Sequence, residues 1–176
     1  MTTRTTTLMT LVLMVLGAAF TRMIPHPWNF TAIGATALFG GAYFPSKRLS
    51  MVIPLAALFL SDLVLGFHPT MVFVYVPFVL IVMMGWSLRG NTRSPMRLAT
   101  ASLVASSVFF LISNFGVWMT EAMYAKSFQG LVTCYVAAIP FFDNQIYGDL
   151  FFTGVMFGAF ELLKQFAPDM FAPKAA

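Results

Sequence analysis

The chain has 176 residues, of which 59% are hydrophobic, 16% aromatic and only 9% charged, and its mean hydropathy is +0.83. Soluble domains carry roughly a quarter charged residues, so this composition reads as an integral membrane protein with room for about six spans of ~20 residues and none for a soluble catalytic module. The net charge of +4 comes from basic residues set in ones, twos and one loose trio between apolar runs, a pattern that orients a membrane protein and gives no nucleic-acid surface.

Six spans are predicted in one transmembrane domain over 1–176, at about 6–22, 28–44, 49–66, 70–88, 97–119 and 146–166. The fold class is therefore all-α and polytopic. The first run, Leu8 to Phe20, follows a threonine-rich start; Gly17-Ala18-Ala19 imitates a signal-peptidase site, but the run reads better as a retained helix. The second is rich in small residues (Ala32, Gly34, Ala35, Ala37, Gly40, Gly41), which let helix backbones approach closely in lipid, so it belongs inside the bundle. Pro54 should kink the third span, which carries Asp62 about one turn from its end. The fourth contains Tyr75 and Pro77, and the fifth ends in Ser113-Asn114-Phe115-Gly116-Val117-Trp118.

The connection from Thr120 to Asn144 is the longest. Within it, Leu131 to Phe142 is about a dozen apolar residues, too few to cross a bilayer, and it is expected as an interfacial or re-entrant piece. The sixth span follows, with Asp149 near its start and Gly154-x-x-x-Gly158, a spacing that suits packing against a neighbour within the bundle better than dimerisation.

Alternating six spans puts Arg4, Lys47, Arg48, Arg89, Arg93, Arg97, Lys164 and Lys174 on one side, and only Arg22 and Lys126 on the other. Because Lys and Arg concentrate on the cytoplasmic side, both termini should be cytoplasmic and loops 22–29, 66–70 and 120–144 outward. A seven-span alternative would move the C-terminal lysines outside and weaken this bias.

Polar residues in or beside the spans then gather at the outward ends. Arg22, His26, Asn29, Asp62, His68, Asn114, Trp118 and Asp149 are the candidate solute-binding set. A carboxylate in a span needs a partner, because on insertion scales it costs about 2.5–3.5 kcal/mol at the bilayer centre, and Arg22 is the obvious one for Asp62 and Asp149. Two readings stay open: a structural ion-pair network or a binding site. Each histidine precedes a proline (His26-Pro27, His68-Pro69), which sets it in an extended or turn segment over the span ends. No metal-ligand spacing supports a metal site, and lone Cys134 excludes an intramolecular disulfide. No P-loop, His-Glu-x-x-His or Gly-x-Ser-x-Gly signature occurs, so no enzyme, catalytic residue or cofactor is expected.

The succession Asn29-Phe30-Thr31-Ala32-Ile33-Gly34, Leu38-Phe39-Gly40-Gly41-Ala42-Tyr43-Phe44 and Leu60-Ser61-Asp62-Leu63, with six short helices, resembles the substrate-binding membrane subunit (S-component) of energy-coupling-factor vitamin transporters. His-Pro-x-Asn-Phe-Thr, Leu-Phe-Gly-Gly-Ala-Tyr-Phe, Asn-Phe-Gly-Val-Trp and Cys-Tyr-x-x-Ala-Ile-Pro-Phe-Phe also resemble the pattern of an uncharacterised bacterial membrane family over most of the chain. The S-component likeness implies a protein of the bacterial cytoplasmic membrane that binds a small solute near the outer face, beneath the three outward loops. Gly17, Ala18 and Thr21 would then contact a separate coupling subunit driven by ATPase subunits, unless the protein acts alone. Cobalamin is only one of the solutes the resemblance allows. A non-catalytic subunit or assembly factor of a larger membrane complex is the alternative.

Overall fold

In a computed structural model the structure is described over residues 3–171, and every element there is helical. Lys174, one of the basic residues used for orientation, lies outside the described residues. The main helices are α1 (Thr3–Phe20), α2 (Ile33–Tyr43), α3 (Lys47–Leu65), α4 (Val72–Gly85), α5 (Pro95–Thr120) and α6 (Phe128–Phe166), followed by a one-turn α7 (Pro168–Phe171). The six-helix bundle expected from the sequence is present. Helices α1, α3, α5 and α6 are long and apolar enough to cross a membrane, whereas α2 and α4 are shorter than the predicted spans.

Local chemistry sets these boundaries. Ser46, Ser94 and Ser127 each turn a side-chain oxygen onto the backbone N–H three residues on, of Leu49, Arg97 and Gly130, and so start α3, α5 and α6. Pro95 follows its cap at the first helical position, where its missing N–H costs nothing. Gly66, at φ 95°, ends α3 in a conformation that side chains disfavour. Helix α2 cannot begin at residue 28, because Asn29 takes φ 62° in a turn closed by the Phe30 N–H on the Pro27 carbonyl at 3.0 Å.

Helix α2 is the hub, buried at every residue from Gly34 through Ala42. Its small residues make that possible: a methyl on Gly41 would collide with the Val82 carbonyl and come within 2.8 Å of the Gly85 Cα, so α2 and α4 meet backbone to backbone. On the other side Phe39 packs edge-on against Phe157 and Phe160 of α6, with ring centroids 5.4 and 5.7 Å away. A single apolar core runs from Leu11 and Val15 of α1 through α2 to Ile81 and Val82 of α4 and Phe157 of α6.

The polar residues at the predicted basic end interlock. Glu161 of α6 accepts from Tyr43 Oη (2.8 Å), Thr92 Oγ1 (3.1 Å), Arg93 Nε (2.8 Å) and Lys164 Nζ (2.8 Å). Arg89 donates to the carbonyls of Gly41 (3.0 Å) and Phe44 (3.1 Å), placing a cation on the C-terminus of α2, where the helix dipole favours it.

One expectation is corrected. Leu131–Phe142 is no separate interfacial or re-entrant piece; it is part of the first half of α6, which continues through Pro140 for 39 residues, about 58 Å. Counting to twenty apolar residues split the helix because Asp143-Asn144-Gln145 interrupts its hydropathy. The first half is held instead by the C-terminal half of α5. Tyr135 Oη donates to the Leu111 carbonyl at 2.6 Å, Cys134 Sγ to that of Asn114 at 3.5 Å, and the Phe110 and Phe142 rings lie 4.3 Å apart. The Gly154–Gly158 pair also departs from expectation: added methyl groups there would meet nothing within 4 Å, so these glycines line an open groove and make no close packing inside the bundle.

Candidate functional site

At the end opposite the Glu161 cluster lies a cavity of about 650 Å³. The connector between α1 and α2 forms one wall, with Arg22, His26, Trp28, Asn29 and Thr31. Leu65 and Val74 come from the ends of α3 and α4; Phe109, Ser113, Asn114 and Val117 from α5; Gln145 and Asp149 from α6. The volume falls in the range of small-molecule pockets, and the wall mixes apolar surface with a few polar groups.

Asp149 is the most deeply held polar residue of the wall, 3% exposed. Ser106 Oγ donates to its carboxylate at 2.7 Å. The Gln145 side chain and the backbone N–H groups of Gly34 and Ala35 donate as well. Those two N–H groups belong to the first turn of α2, which has no side-chain cap of its own from Ala32. Asp149 therefore caps α2 from another helix, satisfying orphan donors and facing the positive end of the dipole. Gly34 is needed for the approach, since a Cβ there would stand 2.5 Å from Asp149 Oδ1.

Arg22 pairs with Asp62 at 2.7 Å, with side-chain exposures of 13% and 2%. It also donates to Ser61 Oγ and, at 3.5 Å, to the Leu58 carbonyl, while Tyr75 Oη donates to Asp62 Oδ2 at 2.8 Å. This ties the α1 end to α3 and α4. The proposed three-residue network does not form: Arg22 serves Asp62, and Asp149 has neutral partners.

Of the eight candidate residues, Arg22, His26, Asn29, Asn114 and Asp149 line the cavity. The other three do not. Asp62 stands behind Arg22, held by it and Tyr75. Exposed His68 turns Nδ1 to Thr70 Oγ1 of its own loop at 2.6 Å. Trp118 donates Nε1 to the Ala125 carbonyl at 2.9 Å, with Lys126 Nζ 5.8 Å from its ring centroid, so it organises the α5–α6 connector. Among the described residues, no three His, Cys, Asp or Glu side chains are grouped to hold a metal ion.

Sequence reading missed Ser106, Ser113, Gln145 and Phe109. Gln145 carried a usable signal, being four residues before Asp149 and so on the same helix face. Ser106 lay in a run of small residues that read only as packing.

The fold and cavity define a helical bundle with the apolar helices of a membrane protein and a solute-sized cavity at one end. The chain belongs to the family described as "Family of unknown function (DUF6580)", whose model matches residues 2–170. No curated protein and no solved structure matches it.

Proposed function

We propose that this chain is a membrane-embedded binding subunit for a vitamin-like solute in an uptake transporter, seated in a bacterial cytoplasmic membrane with both termini inside. The observation that carries this reading is the 650 Å³ cavity beneath the α1–α2 connector and beside the ends of α3, α4 and α5. It stands at the end away from Lys47, Arg89, Arg93 and Lys164, which agrees with an outward-facing site under the positive-inside rule. On this reading the chain works as an S-component does, with separate coupling and ATPase subunits as partners unless the protein acts alone. Native mass spectrometry of detergent-purified protein tests it directly: a co-purifying molecule of vitamin size is expected, lost on Val117→Trp. Absence of any such molecule, together with no thermal shift across a vitamin panel, would overturn it.

A second reading, as a non-catalytic subunit or assembly factor of a larger membrane complex, is favoured by the open groove at Gly154 and Gly158, where a partner helix would fit. It predicts a stoichiometric partner in pull-downs that is lost on Gly154→Leu or Gly158→Leu. Retention of the partner in both variants would remove the groove from consideration.

A further inference from the structure

We infer that the solute carries a positive charge, an inference that rests on the cavity being a solute site. One arginine and one carboxyl side chain stand in the wall, Arg22 and Asp149, with His26 beside them. Arg22 is matched from behind by Asp62 at 2.7 Å. Among the described residues Asp149 has no cationic partner: a serine hydroxyl, an amide side chain and two backbone N–H groups hold it. The dipole of α2 offsets roughly half a charge there. Among the described residues the lining holds no Lys or Arg other than Arg22, so with His26 counted neutral the formal charge of the wall and its immediate backing is negative.

The hydrogen-bonding capacity leans the same way. Asn114 spends its amide N–H on the Phe110 carbonyl at 2.9 Å, and Gln145 spends its own on the Ser106 carbonyl at 3.2 Å and on Asp149. Each amide also carries a carbonyl oxygen, which can only accept. Arg22 reaches Leu58, Ser61 and Asp62 through Nη1, toward α3, which turns its charge away from the occupant. Phe109 in the wall and Trp28 at the exposed rim supply ring faces that attract cations. An amine or a protonated or quaternary heterocycle satisfies all of these groups. A carboxylate or phosphate would face Asp149 across the cavity with Asp62 behind the one arginine.

Matched probes separate charge from shape. Tryptamine, tryptophol and indole-3-acetate share a ring and differ in charge; 1-methylnicotinamide, a quaternary pyridinium cation, forms a second set with nicotinamide and nicotinate. Binding is measured by thermal shift and calorimetry on the full chain in detergent, with Val117→Trp as the filled-cavity control and Ser113→Trp if that variant does not fold. The cation should bind about tenfold or more tightly than its neutral and anionic partners, and the filled cavity should bind none of them. An anion outranking its cation, with binding still lost in the filled variant, would overturn the charge assignment and leave the site standing. Failure of every probe, with no co-purified cation in the native mass spectrum, would overturn both.

Discussion

The backbone N–H of Gly34, in the first turn of α2, donates to the carboxylate of Asp149 on α6, a residue 115 positions later in the chain. Arg89 does the converse at the other end of α2, where it covers the carbonyls of Gly41 and Phe44. An 11-residue helix buried in apolar surroundings thus has an anion at its positive pole and a cation at its negative pole. Water would satisfy those terminal groups in a surface helix; here Asp149 of α6 and Arg89 of the α4–α5 connector do it.

Gly34→Ala should destabilise the protein, although helix propensity alone favours alanine by about 1 kcal/mol. The methyl must displace Asp149, and the expected net loss is about 1–3 kcal/mol. Thermal unfolding in detergent measures it. A rise in the midpoint would mean that Asp149 has room to move.

Asp62→Asn leaves the largely buried Arg22 guanidinium without its counter-ion, at a cost of about 3 kcal/mol. Arg22→Met with Asp62→Leu removes both charges, and its cost should fall short of the two single costs combined by about 2 kcal/mol. Additive costs in the double-mutant cycle would deny the coupling.

The two glycine pairs should respond oppositely. Gly85→Ala pushes into the Leu38 carbonyl 2.5 Å away and should prevent a stable fold from accumulating, whereas Gly154→Ala and Gly158→Ala meet open space and should leave the melting temperature of the isolated protein within about 2 °C. Loss of folding in the α6 variants would show that the groove is filled in the folded protein.

Continuity of α6 can be read by electron–electron resonance between spin labels on the exposed Val132 and Val155. A single helix places their backbones about 34 Å apart. A re-entrant segment folded back at Pro140 would give a much shorter distance.

Composition and hydropathy determine by themselves that this chain is a helical bundle with apolar helices, and the small residues of α2 already point to a helix enclosed by others. The Arg22–Asp62 pairing was legible too, because each is an isolated charge at a span end and lipid leaves it few partners. Tertiary structure alone decided the rest. Asp149 reads in sequence as a second partner for Arg22, yet its true partners are the start of α2 and Ser106, which only the packing of α2 against α5 and α6 brings near. His68 and Trp118 look like site residues by position, but their loops fold locally and turn them to Thr70 and Ala125. The polar triplet at 143–145 breaks the hydropathy of α6 without breaking its helix, since hydropathy reports how a residue is solvated and the backbone's hydrogen bonds report how the chain is folded.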